Sequence, residues 1–383
     1  MNFDFDQIID RRKTESGKWR RYDPDVLPLW VADMDFISPP EVLQALHDRV
    51  EHGVFGYPME MPELIEAIVE RMAMLYQWHI QPEDVLLLPG VVTGFNLVCQ
   101  ALVPSSEGVL IQTPVYPPFL HVADNGGLIG QEMELTYTPQ GYQIDFDDFE
   151  ASITNKTRLF LLCNPHNPVG RVFRQKELER MAEICLRHQM IICSDEIHSD
   201  LIFSDHQHIP IASLSKEIAQ NTVTLMAPSK TFNIAGLGCS YAIVQNQQLR
   251  KKLQTSTRGL VPHVNILGQI AALAAYQHGQ PWLEELLVYL EANRDYLYEY
   301  ICNELPDIKM IKPEGTYLAW LDCREANLPE SPFDFFLRKA RVALEDGTRF
   351  GKGGKGFTRL NFGCPRSILA EALERMRIAL RSR

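Results

Sequence analysis

The hydrophobic pattern changes period many times along the chain, and each period predicts an element. Between Pro62 and Trp78 the apolar positions are 64, 65, 68, 72 and 75, with Glu63, Glu66, Glu70 and Arg71 between them. That spacing is one face of a helix, opened by a proline in its first turn. Val85 to Leu88 is a continuous apolar run closed by Pro89-Gly90, the pattern of a short buried strand, and a helical pattern follows it to Leu102. Further buried strands are predicted at 109–111, 158–163, 190–193 and 222–226, and a helix over 176–188 has its apolar face at 178, 181, 182 and 185. Short apolar strands separated by helices predict a mostly parallel sheet covered on both faces.

The C-terminal part reads differently. A long, charge-laced helix is predicted from Pro281 to about Asn303, long enough to join two domains. After it come a strand at 317–321, a helix at 332–341, a strand at 357–362 and a final helix with Ser367 as its N-cap and 369, 373, 376 and 380 as its buried face. This mixed order predicts a smaller α+β domain, and the irregular, proline-rich N-terminus is expected to pack on it. The expected division is 41–285 for a large α/β domain, and 1–40 with 286–383 for the small one.

Composition narrows the class. The 383 residues are 45 % hydrophobic and 22 % charged, ordinary for a globular protein and unlike collagen-like, coiled-coil or disordered chains. Acidic residues outnumber basic ones by 49 to 37, a net charge of -12 that repels phosphate backbones and disfavours nucleic acid as a partner. No apolar window approaches the roughly 18 residues of a membrane span. The N-terminus lacks the basic start and apolar stretch of a signal peptide. Eight cysteines are scattered without a C-x-x-C pair, several inside apolar runs, which suits buried reduced thiols in a cytoplasmic protein.

In a parallel sheet, ligands bind beyond the carboxyl ends of the strands. There the chain places Gly90-Val-Val-Thr-Gly94, Asn164-Pro-His-Asn-Pro-Val-Gly-Arg171, Ser194-Asp-Glu-Ile-His198 and Ala227-Pro-Ser-Lys230. Each candidate has a plainer reading when taken alone. Lys230 is a Schiff-base lysine activated by burial, or a snorkelling surface lysine. Asp195 at a strand end needs a cation such as a protonated pyridine nitrogen, or caps a helix, or pairs with a local arginine. Asn167 donates to a phenolate oxygen, or makes an Asx-turn. Tyr116 stacks on an aromatic ring, or packs a turn. Gly90 to Gly94 offers free N–H groups to a phosphate, or is a common strand–helix turn. His198, Asp200, Asp205, His206 and His208 match no standard ligand spacing, and no metal is expected.

The set is far more specific than its members. Lysine, aspartate, asparagine, tyrosine and a phosphate cup in this strand order describe a pyridoxal-phosphate site. Nearly end to end, the chain resembles the class I/II aminotransferase-like enzymes of pyridoxal-phosphate fold type I, and most of all their cystathionine β-lyase or C–S lyase branch. Trp30-Val-Ala-Asp-Met-Asp-Phe36 and Phe357-Thr-Arg-Leu-Asn-Phe-Gly-Cys-Pro365 carry the likeness to the branch. The loops after the strands, with Ser229-Lys-Thr-Phe-Asn-Ile-Ala-Gly-Leu237, carry the likeness to the wider group.

The resemblance implies the following roles. Lys230 carries the cofactor and moves protons, and Asp195 pairs with the pyridine nitrogen. Asn167 bonds the ring oxygen and Tyr116 stacks on the ring, beside His198. Val91, Val92 and Ser229 hold the phosphate, helped by Tyr57 of a neighbouring subunit, so a homodimer with shared sites is implied. Arg359 clamps the substrate α-carboxylate, with Asp33 and Tyr57 nearby in the substrate site. The implied reaction is α,β-elimination of L-cystathionine or related S-substituted L-cysteines to pyruvate, ammonia and a thiol. An aminotransferase and a regulatory binding protein of the same fold are the alternatives. Three positions depart from the wider group: His198 for a tyrosine, Gly238 for a phosphate-binding arginine, and Ala227 for a serine.

Overall fold

The computed structural model describes residues 3–382; Met1, Asn2 and Arg383, which the small-domain limits above include, lie outside the described residues. A seven-stranded sheet runs in the spatial order Val85–Leu88, Ser240–Ile243, Thr222–Met226, Ile191–Asp195, Thr157–Cys163, Gly108–Thr113, Ile129–Glu134. Six strands point one way, and only Ser240–Ile243 is antiparallel to its neighbours.

The central strands are buried on both faces, and the alternation along one strand shows what covers each. Leu159 and Leu161 pack with Val91, Phe95 and Val98 of the helix Val91–Leu102. Phe160 and Leu162 pack with Leu178, Met181, Ala182 and Cys185 of the helix Gln175–Arg187. Successive strand residues point to opposite faces, so one apolar run fills two cores.

A second, four-stranded antiparallel sheet has the order Lys309–Met310, Leu318–Asp322, Phe357–Asn361, Glu345–Asp346. The helix Gln280–Glu304 precedes it and buries Leu283, Leu286, Leu290, Leu297 and Ile301. The N-terminal segment lies against this part of the chain. Leu27–Pro28 pairs in parallel with Val342–Ala343, and Arg341 bonds Asp23 and Asp25. Among the described residues no helix is long and apolar enough to cross a membrane.

The structure corrects several sequence expectations. The final helix spans Arg366–Arg381 with Pro365, not Ser367, at its N-cap. The first free N–H, that of Arg366, is satisfied by the Tyr289 hydroxyl at 2.7 Å, so no serine cap is needed. The expected helix over 332–341 is α-helical only to Phe335, then π-helical over Phe336–Ala340, ending at Arg341 with φ 57°. Two strands of the large sheet have no sequence signal. Ile129–Glu134 is an edge strand with one buried side chain, and Ser240–Ile243, Ser-Tyr-Ala-Ile, lacks the continuous aliphatic run that marks Val85–Leu88.

Candidate active site

The carboxyl ends of the parallel strands open onto a cavity of about 380 Å³. Its walls come from five loops of the large sheet, from the segment Trp30 to Ala32, and from the antiparallel sheet through Glu345, Arg349, Phe350 and Arg359. The chain brings together Lys230, Asp195, Asn167, Tyr116, His198, Ser229, Val91, Val92 and Arg359, spread over most of its length.

Lys230 sits in the short helix Pro228–Thr231, just past the strand Thr222–Met226. Its Nζ donates to the Ala32 carbonyl at 2.6 Å, and the Tyr317 hydroxyl donates to the same oxygen at 3.0 Å. Burial lowers its pKa to about 8, with Arg359 pushing the same way and Asp33 and Asp195 opposing.

Asp195 ends the strand Ile191–Asp195, and its Oδ1 accepts the Ile197 N–H at 3.1 Å. No cationic side chain bonds it among the described residues. Burial therefore raises its pKa to about 7. A buried carboxylate left without a cation at a cavity wall is a place for a cationic ring atom.

Arg359 lies on an inner strand of the small sheet and is buried. It donates from Nη1 to Asn167 Oδ1 at 2.9 Å and from Nη2 to the Trp30 carbonyl at 2.8 Å. Its Nε is buried with no partner, and burial lowers its pKa. The bond to Oδ1 fixes the Asn167 amide, so Nδ2 is the atom free for a ligand. The Asn167 loop is tied down next door: the His166 ring bridges the Cys163 and Pro114 carbonyls at 3.2 and 2.8 Å. His198 is buried edge-on to Tyr317, with ring centroids 6.0 Å apart and Nδ1 unpartnered. Burial, with Lys230 and Arg359, lowers its pKa to about 3, so the ring is neutral. Burial raises the Tyr116 hydroxyl, and Asp195 adds to this.

The helix Val91–Leu102 begins at the cavity, so its first N–H groups meet whatever anion binds there. Gly238, where an arginine was the alternative, has φ +59°, and a Cβ there would stand 3.2 Å from the Pro89 carbonyl. The backbone path beside the phosphate cup therefore favours glycine over arginine.

Two positions lie elsewhere. Asp33 does not line the cavity; its Oδ2 pairs with Arg11 Nη2 at 2.5 Å, and only its charge reaches Lys230. Tyr57 does not line the cavity within this chain and is fully exposed, on a segment without helix or strand that also exposes Val54, Phe55 and Met59. The residues of the metal-like cluster are dispersed. His208 bonds Glu196 at 2.8 Å and Asp200 bonds Arg71 at 2.7 Å. Among the described residues no three such ligands could hold a metal ion.

Sequence reasoning missed the supports. Asn233 and Asn361 hold the Trp30-to-Phe36 segment over the lysine. Asn233 bonds the backbone of Met34 and Phe36, and Asn361 Nδ2 donates to the Val31 and Asp33 carbonyls. Asp200 accepts from Arg71 and from the Thr231 hydroxyl at 2.9 Å, joining the loop of His198 to the helix of Lys230. Asp200→Ala leaves the buried Arg71 guanidinium without its anion and should cost about 3–5 kcal/mol. Denaturant unfolding of the variant checks this, and a loss below about 1 kcal/mol, the scale of a surface pair, would contradict it.

These residues fit pyridoxal phosphate. A lowered-pKa amine, an unpaired buried carboxylate, a free amide N–H and a helix N-terminus face one cavity, as its aldehyde, ring nitrogen, phenolic oxygen and phosphate require.

The family model "Aminotransferase class I and II" matches residues 24–376. The chain belongs to this family. Within the class I and II aminotransferase family it is similar to cystathionine beta-lyase PatB of Bacillus subtilis (strain 168), at 40 % identity over 98 % of this chain and 99 % of that protein. Among solved structures it is similar to cystalysin from Treponema denticola, which contains a pyridoxal 5'-phosphate cofactor, at 34 % identity, TM-score 0.96 and full coverage of both chains. It is also similar to the PLP-bound C–S lyase from Staphylococcus hominis, at 34 % identity, TM-score 0.93, and 99 % and 98 % coverage.

Proposed function

We propose that this chain is a pyridoxal-phosphate-dependent carbon–sulfur lyase. It would act on L-cystathionine and related S-substituted L-cysteines by α,β-elimination, releasing pyruvate, ammonia and a thiol. The observation that carries the reading is the convergence of Lys230, Asp195 and Arg359 on one cavity, in a chain that matches lyases over its full length.

The bound cofactor supplies an electron sink for the charge that develops at the substrate Cα. The remaining work falls to the chain. Arg359 holds the α-carboxylate with its paired N–H groups. Asn167, fixed through Oδ1, offers Nδ2 to the ring oxygen. Asp195 keeps a proton on the ring nitrogen. Tyr116 packs on the ring, His198 borders it, and the N–H groups of Val91 and Val92 with Ser229 take the phosphate. Lys230 Nζ removes the Cα proton; a pKa near 8 leaves part of the amine neutral at physiological pH. The Cβ–S bond breaks, its electron pair leaves on sulfur, and Lys230 returns the proton there. A thiolate leaves readily because thiols have a pKa of about 8.5.

The same reading takes the chain as a homodimer, with Tyr57 reaching the phosphate in the partner's site. The exposed Val54, Phe55, Tyr57 and Met59 support it. The domain limits 41–285, and 1–40 with 286–383, belong to the reading, as does a cytoplasmic location, which the eight unpaired cysteines support.

The test is an incubation of the PLP-loaded protein with L-cystathionine and no keto acid. Pyruvate and free thiol in equal amounts support the reading; neither product, with cofactor bound, contradicts it. Arg359→Lys keeps the charge but loses the fork, so KM for the amino acid should rise about ten- to fiftyfold with little change in kcat. An unchanged KM would remove Arg359 from the carboxylate site.

A further inference from the structure

Six Asp, Glu, His, Lys or Arg side chains line the cavity: Asp195, His198, Lys230, Arg359, Glu345 and Arg349. The first four belong to the cofactor and the substrate's amino-acid end. Glu345 and Arg349 are left over. We propose that these two bind the far end of the substrate, and that the enzyme prefers S-substituted cysteines whose leaving group carries an ammonium and a carboxylate. The proposal rests on the elimination reading and names its substrate class.

The strand register sets the geometry. Glu345 is the direct partner of Arg359 across two antiparallel strands, so the two side chains stand on one face. The strand is pinned there by the Thr358 hydroxyl, which donates to the Glu345 carbonyl at 2.8 Å. Asp346 then caps the 3-10 turn Gly347–Phe350, which carries Arg349 back over the same wall. Arg349 Nη1 donates to Glu345 Oε1 at 2.5 Å. The Glu345 side chain is 9 % exposed and that of Arg349 58 %, so the pair runs from the inner wall to the mouth. Charge therefore follows one line from the interior outward: Arg359, Glu345, Arg349. A substrate held at Arg359 by its α-carboxylate meets first an anion, then a cation.

Beside the pair the wall has apolar or aromatic residues, Trp30, Pro117 and Phe350. Such a wall accepts an alkyl leaving group without any charged pair. The pair is the part that discriminates. In the free protein its charges satisfy each other. Among the described residues, Glu345 Oε2 and the other Arg349 N–H groups make no further hydrogen bond. A zwitterionic end gains a bond to each, carboxylate to Arg349 and ammonium to Glu345, while both protein charges stay paired. A leaving group with one charge gains one such bond, and an uncharged one gains neither.

Four substrates separate these terms: L-cystathionine, S-(2-carboxyethyl)-L-cysteine, S-(2-aminoethyl)-L-cysteine and S-ethyl-L-cysteine. Thiol release by the PLP-loaded protein gives kcat/KM for each. Arg349→Met should lower kcat/KM about tenfold, one charge-assisted bond's worth, for the first two. The other two should stay within about twofold, inside the usual context scatter of such terms. Arg349→Lys should recover part of the loss. Glu345→Gln should penalise L-cystathionine and the aminoethyl compound selectively. An Arg349→Met effect that is absent, or equal on all four, overturns the proposal. A second readout does not need turnover. Calorimetric Kd values for the four compounds on PLP-loaded Lys230→Ala protein, with and without Arg349→Met, should show the same selectivity. If the wild-type protein releases no thiol from any of the four, the elimination reading fails. The binding pattern then still decides whether Glu345 and Arg349 form the distal site.

Discussion

Lys230→Ala is expected to lower kcat for thiol release about a thousandfold or more, with the fold intact. Of the other cavity side chains, Asp195 is committed to the ring nitrogen and Glu345 is paired with Arg349. His198 also lines the cavity, but its pKa near 3 makes it too weak to remove a Cα proton. Arg359 stays charged and is committed to Asn167 and Trp30. The variant also carries a stability signature. The folded amine has a pKa of about 8 against 10.5 for an ordinary lysine, so between those values the unfolded chain binds the extra proton. Stability of the cofactor-free wild-type protein should therefore rise with pH across that window, and the alanine variant should lack this rise. Steady-state thiol release and pH-resolved thermal unfolding test both parts. Turnover within about tenfold of wild type, far less than a lost general base costs, would contradict the role given to Lys230.

Asp195→Asn is expected to lower kcat roughly 10²- to 10³-fold, the scale of losing one aimed charge in a dry site. An amide cannot hold the proton on the ring nitrogen, so the ring loses much of its pull on the Cα electrons. The effect on the cofactor-free protein should have the opposite sign. Its Asp195 has a pKa of about 7 against 3.8 when unfolded, so the folded state binds the extra proton in between. That contribution is fully present below the unfolded value and is lost as pH rises through about 7. At pH 8, above both values, the cofactor-free asparagine variant should be more stable than wild type, because no buried charge remains. Cofactor binding reverses the order by giving the carboxylate its cation. Thermal unfolding at pH 8 with and without cofactor reads this directly; a cofactor-free variant less stable than wild type would contradict it.

The parts of the site that end buried parallel strands were legible in the sequence. Leu159 to Cys163 is apolar throughout and Thr222 to Met226 is β-branched or apolar at every position because both faces are covered, so the polar residues that follow, Asn167 and Lys230, stand out. The edge strand Ile129–Glu134 was not legible, since most of its side chains face solvent and leave no pattern. In the C-terminal part of the cavity only Arg359 was legible. Glu345 and Arg349 sit on short pieces, and only strand register brings Glu345 beside Arg359. Asp33 shows the converse: its motif pointed to the substrate, but Arg11, distant from any motif, holds its carboxylate outside the cavity lining. Pro365 displaced Ser367 as the helix cap because a hydroxyl from Tyr289, remote in sequence, satisfied the free N–H.

Elimination and amino-group transfer use the same amine, the same ring-nitrogen partner and the same arginine, and they part only after the Cα proton has left. The most direct measurement is the product balance from L-cystathionine in the presence of excess 2-oxoglutarate. Elimination gives one pyruvate, one ammonia and one thiol per substrate consumed, with no glutamate and no dependence on the keto acid. Glutamate formed in step with substrate loss, without free thiol, would contradict the lyase and make the protein a transaminase.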